Sequence, residues 1–193
     1  MLGDSLAFGT GASEPTNGFA FRLYDRIARE RPGSEITSYA IGGTTVADVE
    51  RLEVARLRGT HPDAILLCVG GNDVVRRTDP AAFAASYART VASIRKNAPA
   101  ATLIVFGVPD IAISPLFADF DAAAVERLSQ VDDRAVRTTA ARNGALFVDL
   151  FTLSKAARHN VGFFSSDQFH PSDDGHDRIA RYALPTLERA LHS

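Results

Sequence analysis

The stretch AILLCVGGND (residues 64–73) decides the fold. Ala64 to Val69 is apolar at every position, with no alternation of apolar and polar side chains. A strand wetted on one face alternates; a strand covered on both faces does not, and that is the habit of parallel sheets. Gly70-Gly71-Asn72-Asp73 then breaks the run at the end where open parallel sheets bind their ligands.

Three further runs read as strands, Ile36–Ile41, Thr102–Val108 and Leu146–Leu150. Helical stretches separate them. Phe19–Arg31 and Val46–Arg58 carry apolar residues near a 3.6-residue period. Pro80–Asn97 opens with Asp79 as cap and proline in the first turn. Ala122–Asn143 stops at Asn143-Gly144. Ser172–Leu191 starts with a capping serine and two aspartates, which suit the helix dipole. Strands alternating with helices predict an α/β domain with a parallel sheet, one domain over residues 1–193.

Length and composition agree. The chain has 193 residues, 46% hydrophobic and 23% charged, enough for a full core. The net charge of -2 gives no footprint for nucleic acid or an anionic membrane, and RIARERPG (26–33) reads as a solvated helix end. No apolar run reaches transmembrane length, so no integral membrane association is expected. The single cysteine, Cys68, lies in an apolar run and reads as a buried structural thiol. No Cys/His spacing suggests zinc, so no metal is expected. The chain as given reads as cytoplasmic by default, a leader upstream of Met1 being the alternative.

The informative residues follow the strands. They are Ser5 in GDSL, Gly42-Gly43, Gly70 to Asp73, and Asp167 to Pro171 in SDQFHP. Acyl transfer needs a nucleophile, a base, a group that orients the base, and oxyanion donors. Ser5, His170 and Asp167 can fill the first three roles. The N–H groups of Ser5 and Gly43 and the Asn72 amide can fill the last. Asp4 and Asp73 read as loop organisers. His61, His159, His176 and His192 read as solvated or capping residues, His176 being nearest the rim. Gly9 and Gly11 suggest a phosphate loop, but no Walker lysine follows. No GxSxG elbow is present.

Four blocks resemble the GDSL lipase/esterase family, the SGNH hydrolases. They are Gly3-Asp4-Ser5-Leu6; SYAIGGTT (38–45), with Ser38 where the family favours asparagine; Gly70-Gly71-Asn72-Asp73; and Asp167-Gln168-Phe169-His170-Pro171. The resemblance implies a three-layer α/β/α sandwich on a five-stranded parallel sheet in flavodoxin-like order 2-1-3-4-5. It implies a triad of Ser5, His170 and Asp167, an oxyanion hole of Ser5, Gly43 and Asn72, and no cofactor. The implied substrate is a small carboxylic ester or thioester of short or medium acyl chain. A carbohydrate acetylester is one alternative, and an inactive binding module on the same fold another. Only Met1 and Leu2 precede Gly3, so the first strand is expected to be truncated, and the altered position 38 to change the hydrogen bonding behind the site. The apolar connection Val108–Phe120 is expected to wall the substrate site.

Overall fold

The computed structural model of the protein describes residues 1–117, 121–158, 160 and 162–192, the side chain of His192 excepted. His159, and residues 118–120 of the predicted wall, lie outside the described residues.

Strands β1 (Leu2–Gly3), β2 (Ala64–Cys68), β3 (Thr102–Phe106) and β4 (Leu146–Val148) pair in parallel in the order β1-β2-β3-β4. The helices are α1 (Ser5–Phe8), α2 (Phe19–Glu30), α3 (Val46–Leu52), α4 (Gly71–Val75), α5 (Pro80–Asn97), α6 (Ala122–Arg142), α7 (Leu150–Ala157) and α8 (Asp173–His192).

The two faces of the sheet bury different residues. Ile65, Leu67, Leu103 and Val105 point toward a core shared with α3, α5 and α6. Cys68, Ile104 and Phe106 join a second core with α2 and α8. The period of two is present, but both sets are apolar because both faces are covered. This yields three layers and explains the unbroken run at 64–69.

The expected fifth strand takes a different form. Residues 36–41 run parallel beside β1, on the edge away from β2, where the order 2-1-3-4-5 puts them. Tyr39 N–H donates to the Met1 carbonyl at 2.9 Å and Ile41 N–H to that of Gly3 at 3.0 Å. A regular parallel ladder would then pair Gly3 N–H with the Tyr39 carbonyl. Instead Gly3 N–H donates to Oε2 of the fully buried Glu53 at 2.8 Å. A side chain replaces the ladder bond there, and the segment is not a regular strand.

Local chemistry sets the helix ends. Thr45 and Asp48 form a reciprocal capping box at α3. Asp79 Oδ1 accepts from Ala81 and Ala82 N–H, both at 3.0 Å, with Pro80 next in the chain. The helix predicted over Val46–Arg58 is α3 followed by a 3-10 turn, Val54–Leu57, with Glu53 at the junction. The strand predicted through Leu150 ends at Val148, because Asp149 caps α7 by accepting from Thr152 N–H at 2.9 Å.

On α6, Asp132 is fully buried and neither carboxylate oxygen has a hydrogen-bond partner among the described residues. Burial, with the charge of Asp73 adding, pushes its carboxyl from 3.8 to about 7. Between those values the unfolded chain is ionised while the folded one holds a proton, so stability falls as pH rises. Asp132→Asn removes that slope. Its melting temperature should exceed wild type by a margin that grows from pH 4 to about 7 and then levels, as read by thermal melts across pH. A margin independent of pH would contradict this account.

Candidate functional site

Ser5 follows β1 directly, and glycine makes that possible. A Cβ on Gly3, at φ 139°, would sit 1.8 Å from the Cys68 carbonyl oxygen. No other residue allows β1 to lie so close to the end of β2. Asp4 then caps α1: Oδ1 accepts from Leu6 N–H at 3.0 Å, and Oδ2 from Gly70 N–H at 3.3 Å. Asp4 thus ties the serine turn to the turn after β2. Burial pushes its carboxyl up to about 6, against those two N–H donors. Asp73 does similar work by accepting from Val46 N–H at 3.0 Å. Both aspartates organise loops, as the sequence reading has them.

Across the crevice, Ser5 Oγ lies 2.8 Å from His170 Nε2, and His170 Nδ1 lies 2.7 Å from Asp167 Oδ2. Residues far apart in the chain meet in one polar line. The loop that carries them is tightly bonded. Asp167 Oδ1 accepts from Phe169 N–H, His170 N–H and Ser165 Oγ at 2.8, 2.9 and 2.8 Å. Partial burial opposes ionisation of Asp167, but the His170 ring and these donors prevail and hold it below the usual carboxylate range. Gln168 takes φ 61° to make the turn, and its carbonyl accepts from Ser114 Oγ at 2.6 Å.

The remaining predicted residues gather on the other side of Ser5. Asn72, on α4, donates from Nδ2 to the Thr44 carbonyl at 3.0 Å. Gly43 lies on an exposed turn at φ 80°, its carbonyl held by Arg76 at 2.8 Å. The turn passes beside the serine: a Cβ on Gly42 would lie 3.9 Å from Ser5 Cβ. Ser38 is exposed.

Of the two readings for His176, solvated or capping, the structure supports the second. It is fully buried, and its ring caps the first turn of α2. Nδ1 accepts from Phe19 N–H at 3.2 Å, so Nε2 carries the proton and donates to the Thr10 carbonyl at 3.0 Å. Burial holds its pKa below the usual value. The bond fixes the loop that presses Gly11 against His170. A Cβ on Gly11 would meet the Pro171 carbonyl oxygen at 2.4 Å and His170 Cβ at 2.8 Å. The glycine was visible in the sequence; its partner across the crevice was not.

An apolar cavity of about 80 Å³ opens at Ser5, Asn72 and His170 and runs between Ile111, Leu153, Phe163 and Ile179. The connection from Val108 supplies one wall, as expected. Besides Ser5, Asn72 and His170 at its mouth, four polar residues line it, Asp4, Asp110, Ser114 and Ser154. Ser154 Oγ donates to the Phe151 carbonyl, Ser114 Oγ to that of Gln168, and Asp110 accepts from Ala112 N–H and Arg158. Their donors are spent within the protein. Cys68, also in the wall, is buried, and burial pushes its thiol well up, as a structural thiol requires. Among the described residues, no cluster of acid, histidine or cysteine side chains could hold a metal, and no helix is long and apolar enough to cross a membrane.

An open parallel sheet with this crevice at its rim places the chain in a class of α/β hydrolytic enzymes. The model of the GDSL-like lipase/acylhydrolase family matches residues 1–178, and the chain belongs to that family of ester hydrolases. Comparison with the curated proteins found no match. Among solved structures the chain is similar to TesA, at 23% identity over 98% of this chain and 97% of that one, with a TM-score of 0.80. It is also similar to the psychrotrophic esterase EstA from Pseudoalteromonas sp., at 18% identity over 100% and 97%, with a TM-score of 0.78. The acetylxylan esterase Axe2 from Geobacillus stearothermophilus is 21% identical over 96% and 91%, with a TM-score of 0.73. At these identities the likeness is one of fold.

Gly11→Ala forces a methyl group into the backbone that carries His170. It should lower kcat for p-nitrophenyl butyrate at least about tenfold, as expected for ångström-scale misplacement of a reacting group. Wild-type kcat in a folded Gly11→Ala protein would show that this contact does not hold the histidine.

Proposed function

We propose that the protein is a serine esterase acting on short- or medium-chain acyl esters through an acyl-serine intermediate. The observation that carries the reading is the unbroken line Ser5 Oγ, His170 and Asp167, at 2.8 and 2.7 Å. Ser5 Oγ attacks the acyl carbonyl while His170 Nε2 takes its proton. Asp167, accepting from Nδ1–H, fixes the tautomer and stabilises the imidazolium. The oxyanion takes hydrogen bonds from the N–H groups of Ser5 and Gly43 and from Asn72. A side-chain amide has two hydrogens, and only one of Asn72's is spent on Thr44. Collapse breaks the ester bond, and His170 returns the proton to the leaving alcohol. Water, losing a proton to His170, then attacks the acyl-Ser5; the acyl–Oγ bond breaks, His170 returns the proton to Ser5 Oγ, and the acid is freed.

The cavity supports an alkyl acyl group. Its walls are mostly apolar, and the Ser114 and Ser154 hydroxyl donors are spent within the protein, so a sugar there would find few partners for the water it gives up. A thiol leaving group fits the same chemistry, because the acyl-serine step is the same for an ester and a thioester. The inactive-module alternative is disfavoured by the serine–imidazole distance.

Ser5→Ala should abolish hydrolysis of p-nitrophenyl butyrate and octanoate; turnover at the wild-type rate would remove Ser5 as nucleophile. Asn72→Ala should lower kcat by about 10² to 10³. Asp167→Asn should cost up to about 10⁴, and a loss below about tenfold would mean that His170 works without it. A panel of p-nitrophenyl esters and acyl-CoA thioesters, set beside acetylated sugars, reads the substrate class directly.

A further inference from the structure

Glu53 does not belong to any of the four sequence blocks, yet it touches the strand that carries Ser5. It is one of the largest fully buried side chains in the molecule. Its Oε2 accepts from Gly3 N–H at 2.8 Å, two residues before Ser5. Its Oε1 is buried with no hydrogen-bond partner among the described residues. A buried carboxyl with half its acceptor capacity unused is a poor choice for filling a core.

The position of Glu53 in the chain gives it a second connection. It follows directly on α3, whose other end begins at Thr45, immediately after the Gly42–Thr44 turn. Seven residues of helix span about 10 Å. One end of this short rod therefore carries the turn that passes beside Ser5, and the other end grips the backbone of β1. Sliding α3 along β1 would move the turn relative to the serine.

We propose that Glu53 is a positioning residue, whose bond to Gly3 N–H fixes α3 against β1 and so sets the Gly43 turn in register with Ser5. This rests on the reading of Ser5 and Gly43 given above. Burial pushes the Glu53 carboxyl up to about 7, the Asp4 charge adding to it and the Gly3 and Ile41 N–H groups and the Met1 ammonium opposing it. The accepting oxygen matters more than the charge, so glutamine should serve in its place.

The test uses two variants. Glu53→Gln keeps an acceptor of the same shape, while Glu53→Leu fills the space and offers none. Glu53→Leu should lower kcat for p-nitrophenyl butyrate by roughly ten- to a hundredfold with little change in KM, because reacting groups are displaced while the acyl cavity is intact. Glu53→Gln should recover most of the wild-type kcat. Wild-type kcat in a folded leucine variant overturns the proposal, as does a folded glutamine variant as impaired as leucine. If the leucine protein does not fold, the glutamine variant and hydrogen exchange carry the test. The Gly3 amide should exchange slowly in wild type and in Glu53→Gln, and rapid exchange in wild type overturns the proposal. Exchange at Gly3 does not depend on the chemistry. Failure of the serine assignment would show as ester turnover by Ser5→Ala, with Gly3 still protected.

Discussion

The close crossing of Gly3 over the Cys68 carbonyl governs this structure. Only a residue without a Cβ can pass there, and the passage is what puts Ser5 at the rim of the sheet's central strands. Asp4 uses the same proximity to bond Gly70, so the serine turn and the Asn72 turn become one rigid unit. The third wall comes from the far end of the chain, held by the Asp167 loop and by Gly11 pressed against His170. Each of these contacts has backbone on at least one side.

Much of this was legible in the sequence because it was written locally. Unbroken apolar runs, capping aspartates and glycines after strands report on their own neighbourhood, and the four blocks name the residues that meet. What escaped depends on distant partners. Residues 36–41 read as a strand and lie where one belongs, but Glu53, twelve residues on, takes the bond that would have completed it. α7 was hidden because Leu150 extends an apolar run, while the cap that starts the helix is the acid one step earlier. Asp132 and His176 sit in helical stretches that look solvated, and nothing short of the packed fold shows them dry. Periodicity reveals an average face, not a single buried polar side chain.

Those buried acids form a pattern. Asp4, Glu53, Asp132 and Asp133 all have carboxyls pushed by burial to about 6 or 7, and Asp73 is raised as well. Asp4, Glu53, Asp132 and Asp133 each bind a proton in the folded state that the unfolded chain has already lost near pH 5, so together they favour the fold on the acid side. His176 acts in the opposite sense. Its lowered pKa means the unfolded chain takes up a proton first as pH falls below 6.5. Asp167, held ionised by its donors, likewise loses stabilising bonds in strong acid.

The bond between Ser5 and His170 joins residues 165 positions apart. During synthesis the amino-terminal hydroxyl leaves the ribosome long before the imidazole is made. A nascent chain that ends before His170 holds Ser5 and the Gly42–Gly43 turn but not the imidazole that faces them in the finished fold. On the proposed mechanism, hydrolytic competence is then acquired in one late event, when the final loop closes onto a nearly finished body. On the same mechanism, a chain cut anywhere before His170 stays chemically silent.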